Sequence, residues 1–89
     1  MCSLEPIRNI PVKSFRFKKS EYGFTATHSG YEIHVGQNAH YWWWDVEIVK
    51  SGEQIAESDR AVYKKDAPTR IIAKKRAVMA LNQWRKTNA

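Results

Sequence analysis

Two sets of side chains in this chain could do chemistry. One is titratable: the histidines His28, His34 and His40 with the carboxylates Glu32 and Asp45. The other is cationic: Arg16, Lys18 and Lys19 near the start, then Arg60, Lys64, Lys65, Arg70, Lys74, Lys75 and Lys86. Proton transfer needs an acid and a base within hydrogen-bond reach of one substrate. A metal site needs several ligands converging on one point. Phosphate recognition asks less, because Lys and Arg gathered on one surface give salt-dependent binding without further geometry.

Known catalytic patterns are missing. There is no glycine-rich phosphate loop, nucleophile elbow or CxxC pair. The lone cysteine, Cys2, excludes an internal disulfide and fits a reducing compartment, so a cytoplasmic protein is expected. No run approaches the ~18 apolar residues of a membrane span. The start Met-Cys-Ser-Leu-Glu-Pro lacks the basic and then apolar regions of a signal peptide.

The formal net charge is +6, and it is unevenly spread. Residues 1–19 hold five basic groups against one acid, residues 20–63 two against seven, and residues 64–89 eight against one. Both ends are basic and the middle is acidic, a distribution that points to an anionic partner for the ends.

The elements that must position these groups follow from the hydrophobic pattern. Tyr41 to Val49 (YWWWDVEIV) is aromatic and β-branched, which suits a pleated, half-buried surface. At period two, Trp42, Trp44, Val46 and Ile48 form an apolar face, and Trp43, Asp45 and Glu47 lie on the other. Tyr22 to His28 alternates likewise, and Ser29-Gly30 reads as a two-residue hairpin turn that sets His28 opposite Tyr31, Ala26 opposite Ile33 and Phe24 opposite Val35. A loop at residues 37–40 then sets Val35 against Trp42 and Ile33 against Trp44. A turn at Lys50-Ser51-Gly52-Glu53 pairs Ile48 with Ile55. That last register would drive Glu57 onto the core face, so the strand must end near Ala56 or carry a bulge.

Asp66 is suited to cap a helix with Pro68 in its first turn, running to about Arg85 or Thr87. At 100° per residue Ile71, Ala73, Ala77, Val78, Ala80, Leu81 and Trp84 share one arc, while Asn82 falls with the polar residues. The predicted fold is therefore α+β: a three- or four-stranded antiparallel β-meander packed on one face by a C-terminal α-helix. Residues 1–20 read as an irregular basic N-terminal arm with room for a short edge strand, and residues 21–89 as a single domain.

On this scaffold the three histidines do not converge, and Glu32 and Asp45 become solvated neighbours on the outer sheet face. No catalytic residue, metal, cofactor or small-molecule ligand is expected. The function expected is a small non-catalytic nucleic-acid-binding module for DNA or RNA, using Arg16, Lys18, Lys19, His40, Lys64, Lys65, Arg70, Lys74, Lys75 and Lys86. The alternative is a protein–protein interaction module, a homodimer or a small adaptor or inhibitor docking on an acidic protein. It would use the sheet edge or the outer face around His34, Trp43 and Arg60.

Two short motifs carry family resemblances. Gly36-Gln37-Asn38-Ala39-His40, followed by two strands and then Lys74-Lys75-Arg76-Ala77-Val78-Met79-Ala80-Leu81, resembles the double-stranded RNA-binding domain. That resemblance implies a histidine-bearing loop in the minor groove and lysines on phosphates, here His40, Lys74 and Lys75. The chain departs from the family in lacking its first helix and the proline after the glycine, and in placing the lysine pair inside the helix. A small sheet followed by a helix also resembles AP2-like and integrase arm-binding domains. These bind DNA through the sheet, whereas the outer sheet face here is acidic.

Overall fold

A computed structural model describes residues 8–21, 23–37, 41–58 and 69–88 of the chain. Among these residues five strands form one antiparallel sheet in chain order: β1 (Lys18–Ser20), β2 (Gly23–His28), β3 (Tyr31–Gln37), β4 (Trp42–Ile48) and β5 (Gln54–Glu57). One helix, α1 (Arg70–Asn88), packs on one face of this sheet. The α+β meander-plus-helix arrangement is the one the sequence predicts, with β1 as an added edge strand.

The β2–β3 hairpin has the expected register, with His28 opposite Tyr31, Ala26 opposite Ile33 and Phe24 opposite Val35. Its turn uses two residues with positive φ, Ser29 at 52° and Gly30 at 84°. That geometry matches the right-handed twist of the flanking strands.

The next pairing departs from expectation by two residues. Val35 faces Trp44, Ile33 faces Val46 and Tyr31 faces Ile48. A slip of two leaves every side chain on its predicted face, so the apolar alternation does not detect it. What decides it is the longer β3, in which Gly36 and Gln37 still pair, with Trp43 and Trp42. Gly36 can sit there because it has no side chain: a Cβ would run into the Trp43 ring lying across it.

β5 resolves the Glu57 conflict with a bulge. The ladder shifts between Val46 and Glu47, so Ala56 faces Val46 and Glu57 faces Asp45. The extra residue turns the Glu57 position away from the core. Backbone bonds from Ile48 N to Glu53 O (2.9 Å) and from Gly52 N to Ile48 O (2.7 Å) close the turn. Ser58, buried beyond β5, accepts a hydrogen bond from Trp44 N at 3.2 Å.

The start proposed at Asp66 to Pro68 lies outside the described residues. The described helix begins at Arg70, and Thr69 caps it, its Oγ1 accepting from Ile72 N at 3.2 Å. The buried helix positions are Ala73, Ala77, Val78, Leu81 and Asn82. Ile71, placed by periodicity in the core arc, is 60% exposed, and Ile72 packs against the core instead. The alanines keep α1 close to Ile33, Val35, Trp44 and Val46, which are buried on the facing sheet surface. Full burial of a side chain such as Ile33 or Leu81 contributes about 1.5–3 kcal/mol.

The N-terminal stretch contributes to this core. Ile10 and Phe15 are buried in it, on either side of a 3-10 turn at Val12–Ser14. Asn82, expected on the polar side of the helix, holds this segment. Its Oδ1 accepts from Ile10 N at 2.8 Å, and its Nδ2 donates to Ile10 O at 3.0 Å. Arg85 Nη1 donates to Arg8 O at 2.9 Å. The apolar arc thus contains one polar residue because an irregular backbone crosses it and needs both partners.

Replacing Asn82 with Ala leaves both Ile10 backbone groups without their partner. The expected loss is about 2–4 kcal/mol of stability, read as a lower midpoint in urea denaturation. Gln83→Ala, on the exposed side of α1, is expected to change it little.

Candidate nucleic-acid interface

The cations of the N-terminal stretch and of the helix start meet at two phenylalanines. β1 pairs with β2 so that Lys19 lies opposite Phe24 and Lys18 opposite Thr25. Arg70 sits over the Phe24 ring with its guanidinium carbon 4.4 Å from the ring centroid. Lys74 Nζ lies between two rings, 4.6 Å from Phe17 and 5.2 Å from Phe24. These are cation–π distances, favoured by the negative faces of the rings. Arg70 and Lys74 are one helical turn apart, which is why both reach the same ring.

Among the described residues neither Arg70 nor Lys74 has a carboxylate within ion-pair distance. Burial pushes the Lys74 ammonium below the usual lysine range, and the neighbouring Arg70 charge pushes it further. An anion arriving here would offset the repulsion between the two cations. On the other side of the same edge, Arg16 and Lys18 line a shallow recess with Thr25, Ala26 and Thr27.

Arg16, Lys18, Lys19, Arg70 and Lys74 therefore border one edge of the sheet. Lys75 is exposed on α1, while Lys86 is exposed at its far end, roughly 24 Å along the axis from Arg70 at 1.5 Å per residue. His40, Arg60, Lys64 and Lys65 lie outside the described residues. The lysine pair of the RNA-binding resemblance is divided: Lys74 turns to the aromatic rings and Lys75 to solvent. Phe17 and Phe24 were not among the expected site residues. Their signal was an aromatic in each of two strand-like segments that also carry lysines.

The outer sheet face is assembled differently from expectation. The shifted register puts His34 opposite Asp45 and Glu32 opposite Glu47, and sets Trp43 opposite Gly36. The expected pairing of Val35 with Trp42 and Ile33 with Trp44 would set His34 opposite Trp43; the observed row is Thr25–His34–Asp45, and Trp43 is half-buried over Gly36. His34 lies between two carboxylates, with Nδ1 2.6 Å from Asp45 Oδ1 and Nε2 2.8 Å from Glu32 Oε1. With a carboxylate oxygen beside each ring nitrogen, the arrangement favours the protonated ring, which donates from both. Burial pulls the His34 pKa down, but the hydrogen bond to Asp45 and the charges of Asp45, Glu32 and Glu47 outweigh it. The net shift is upward from 6.5. One ligand atom from each of Glu32, His34 and Glu47 lies within 4.8 Å of the others, so convergence here is of one histidine with carboxylates.

No helix among the described residues is long and apolar enough to cross a membrane. Comparison with protein-family models, curated proteins and solved structures finds no match.

Because the folded state holds His34 protonated more tightly than the unfolded chain does, its contribution is fully present below pH 6.5. It fades as pH rises through the higher folded value. Urea midpoints across pH 5 to 9 are expected to show this decline, and His34→Gln is expected to flatten it.

Proposed function

We propose that the protein is a small, non-catalytic nucleic-acid-binding module that sets the β1 edge and the first turns of α1 against a phosphate backbone. The observation that carries this reading is the meeting of Arg70 and Lys74 on Phe17 and Phe24, beside Lys19, with no carboxylate partner for either helix cation among the described residues. Arg16 and Lys18 extend the same edge, and Lys75 continues it along the helix. Glu32, Asp45 and Glu47 lie on the outer sheet face and repel phosphate there, which favours approach from the basic edge. His40, Lys64, Lys65 and Lys86 extend the proposed contact set. A cytoplasmic location belongs to this reading, in keeping with the single cysteine.

A second reading, a protein-interaction module, is favoured by Ile71 and Met79. They are 60% and 68% exposed on α1, with the exposed Lys75 between them in sequence. Two apolar groups flanking a cation suit an acidic protein partner. Of the residues first assigned to protein contact, His34 is engaged by carboxylates and Trp43 by Gly36, which moves this reading from the sheet face to the helix.

Gel-shift titration with duplex and single-stranded DNA and RNA separates the two. With four or five phosphate contacts, affinity for duplex is expected to fall about 10²–10³-fold between roughly 50 and 200 mM salt. Lys74→Glu with Lys75→Glu is expected to abolish binding while the circular dichroism of the fold is retained. No binding at low salt, or full binding by the folded double variant, would overturn the nucleic-acid reading. Ile71→Ser with Met79→Ser removes the apolar pair of the second reading and is expected to leave nucleic-acid binding intact.

A further inference from the structure

The outer-face cluster has charges that the nucleic-acid reading does not use. Glu32 and Glu47 are direct cross-strand partners. Like charges placed so destabilise a sheet. The His34 ring bridges Glu32 and Asp45 and offers at most one positive charge against the carboxylates of Glu32, Asp45 and Glu47. The neighbouring strand holds a second unbalanced group. Thr25, directly across the ladder from His34, has a solvent-shielded Oγ1 with no hydrogen-bond partner among the described residues. A shielded hydroxyl left unpaired is unfavourable.

We propose that Glu32, His34 and Glu47 form a binding site for a divalent first-row transition ion, with Asp45 orienting the histidine. One ligand atom from each of the three lies within 4.8 Å of the others, on two adjacent strands. Small side-chain rotations bring such atoms to the roughly 2.0–2.2 Å at which imidazole nitrogen and carboxylate oxygen bind Zn2+. Asp45 stays on Nδ1–H at its present position, which fixes the tautomer and leaves Nε2 to the metal. On binding, the Nε2 proton leaves to solvent and Glu32 exchanges its hydrogen bond for a metal bond. The ion places two positive charges between Glu32 and Glu47. One nitrogen with two carboxylates suits Zn2+ or Mn2+ over Mg2+, which holds its waters and prefers an all-oxygen shell.

The test uses the full chain, melted with ZnCl2, MnCl2 or MgCl2 and with EDTA as reference. Zn2+ or Mn2+ is expected to raise Tm by about 5 °C for this size of domain, EDTA to reverse the rise, and Mg2+ to do far less. Titration calorimetry should give one ion per chain and an affinity that increases with pH, since the ion displaces a proton. Asp45→Asn is expected to weaken Zn2+ binding about 10–100-fold. Glu47→Gln removes half of a repelling pair, so it should fold at least as well as the parent and lose the Zn2+ response. Absence of a Zn2+ or Mn2+ shift in the parent overturns the proposal. So does an undiminished shift in Glu47→Gln, which would place the ion at Cys2 or another histidine. Glu47→Gln leaves the basic edge untouched, so the gel shifts stand apart from this outcome.

Discussion

The paired hydrogen bonds between Asn82 and the backbone of Ile10 are the constraint on which the organisation of this protein turns. Residues near the start of the chain have basic charges, prolines and no strong alternation, which alone would describe a solvated tail. Asn82 supplies the acceptor and the donor that an irregular backbone needs in order to be buried. With that satisfied, Ile10 and Phe15 can add their apolar surface to the core. A route past the helix thus leads into β1. The cations of residues 16–19 become fixed neighbours of a helix that begins about fifty residues later.

Fixing those neighbours sorts the charge by place. Carboxylates gather on the solvent face of the central strands, around His34. Guanidinium and ammonium groups gather at the β1 edge, where the phenylalanine faces hold them without neutralising them. Aromatic faces stabilise a cation modestly and leave its charge available to a second partner. Carboxylates and cations thus occupy different parts of the described surface, and such a separation steers an approaching polyanion toward the cations.

Much of this was legible in the sequence, and the rest was hidden for definable reasons. The Ser29–Gly30 turn is short enough to set the β2–β3 register on its own. The loop before Trp42 is not, and an alternation of period two is blind to a shift of two. Trp44 therefore appeared correctly on the core face but opposite the wrong residue. The same slip hid the cluster, since it exchanges a Glu32–Asp45 neighbourhood for Glu32 opposite Glu47 and His34 opposite Asp45. The bulge was one of two outcomes expected because Glu57 could not stand on an apolar face, the other being a strand end near Ala56. The convergence of Lys74 with Phe17 and Phe24 had no local signal, because sequence spacing says nothing about which strand a helix crosses. Ile71, in the first turn of α1, shares the arc of the buried Val78 and Asn82 yet is exposed, while Ile72 packs against the core, which periodicity alone does not show.

The two outermost strands have a consequence of a different kind. β1 is three residues long and carries Lys18 and Lys19, while β5 is four residues long and follows the bulge in its ladder. Short, charged or bulged margins make poor templates for another chain's strand. A sheet with so much tryptophan and isoleucine in its middle would otherwise invite edge-to-edge polymerisation when crowded. Among the described residues, both margins thus have features that oppose such pairing, independently of any polyanion.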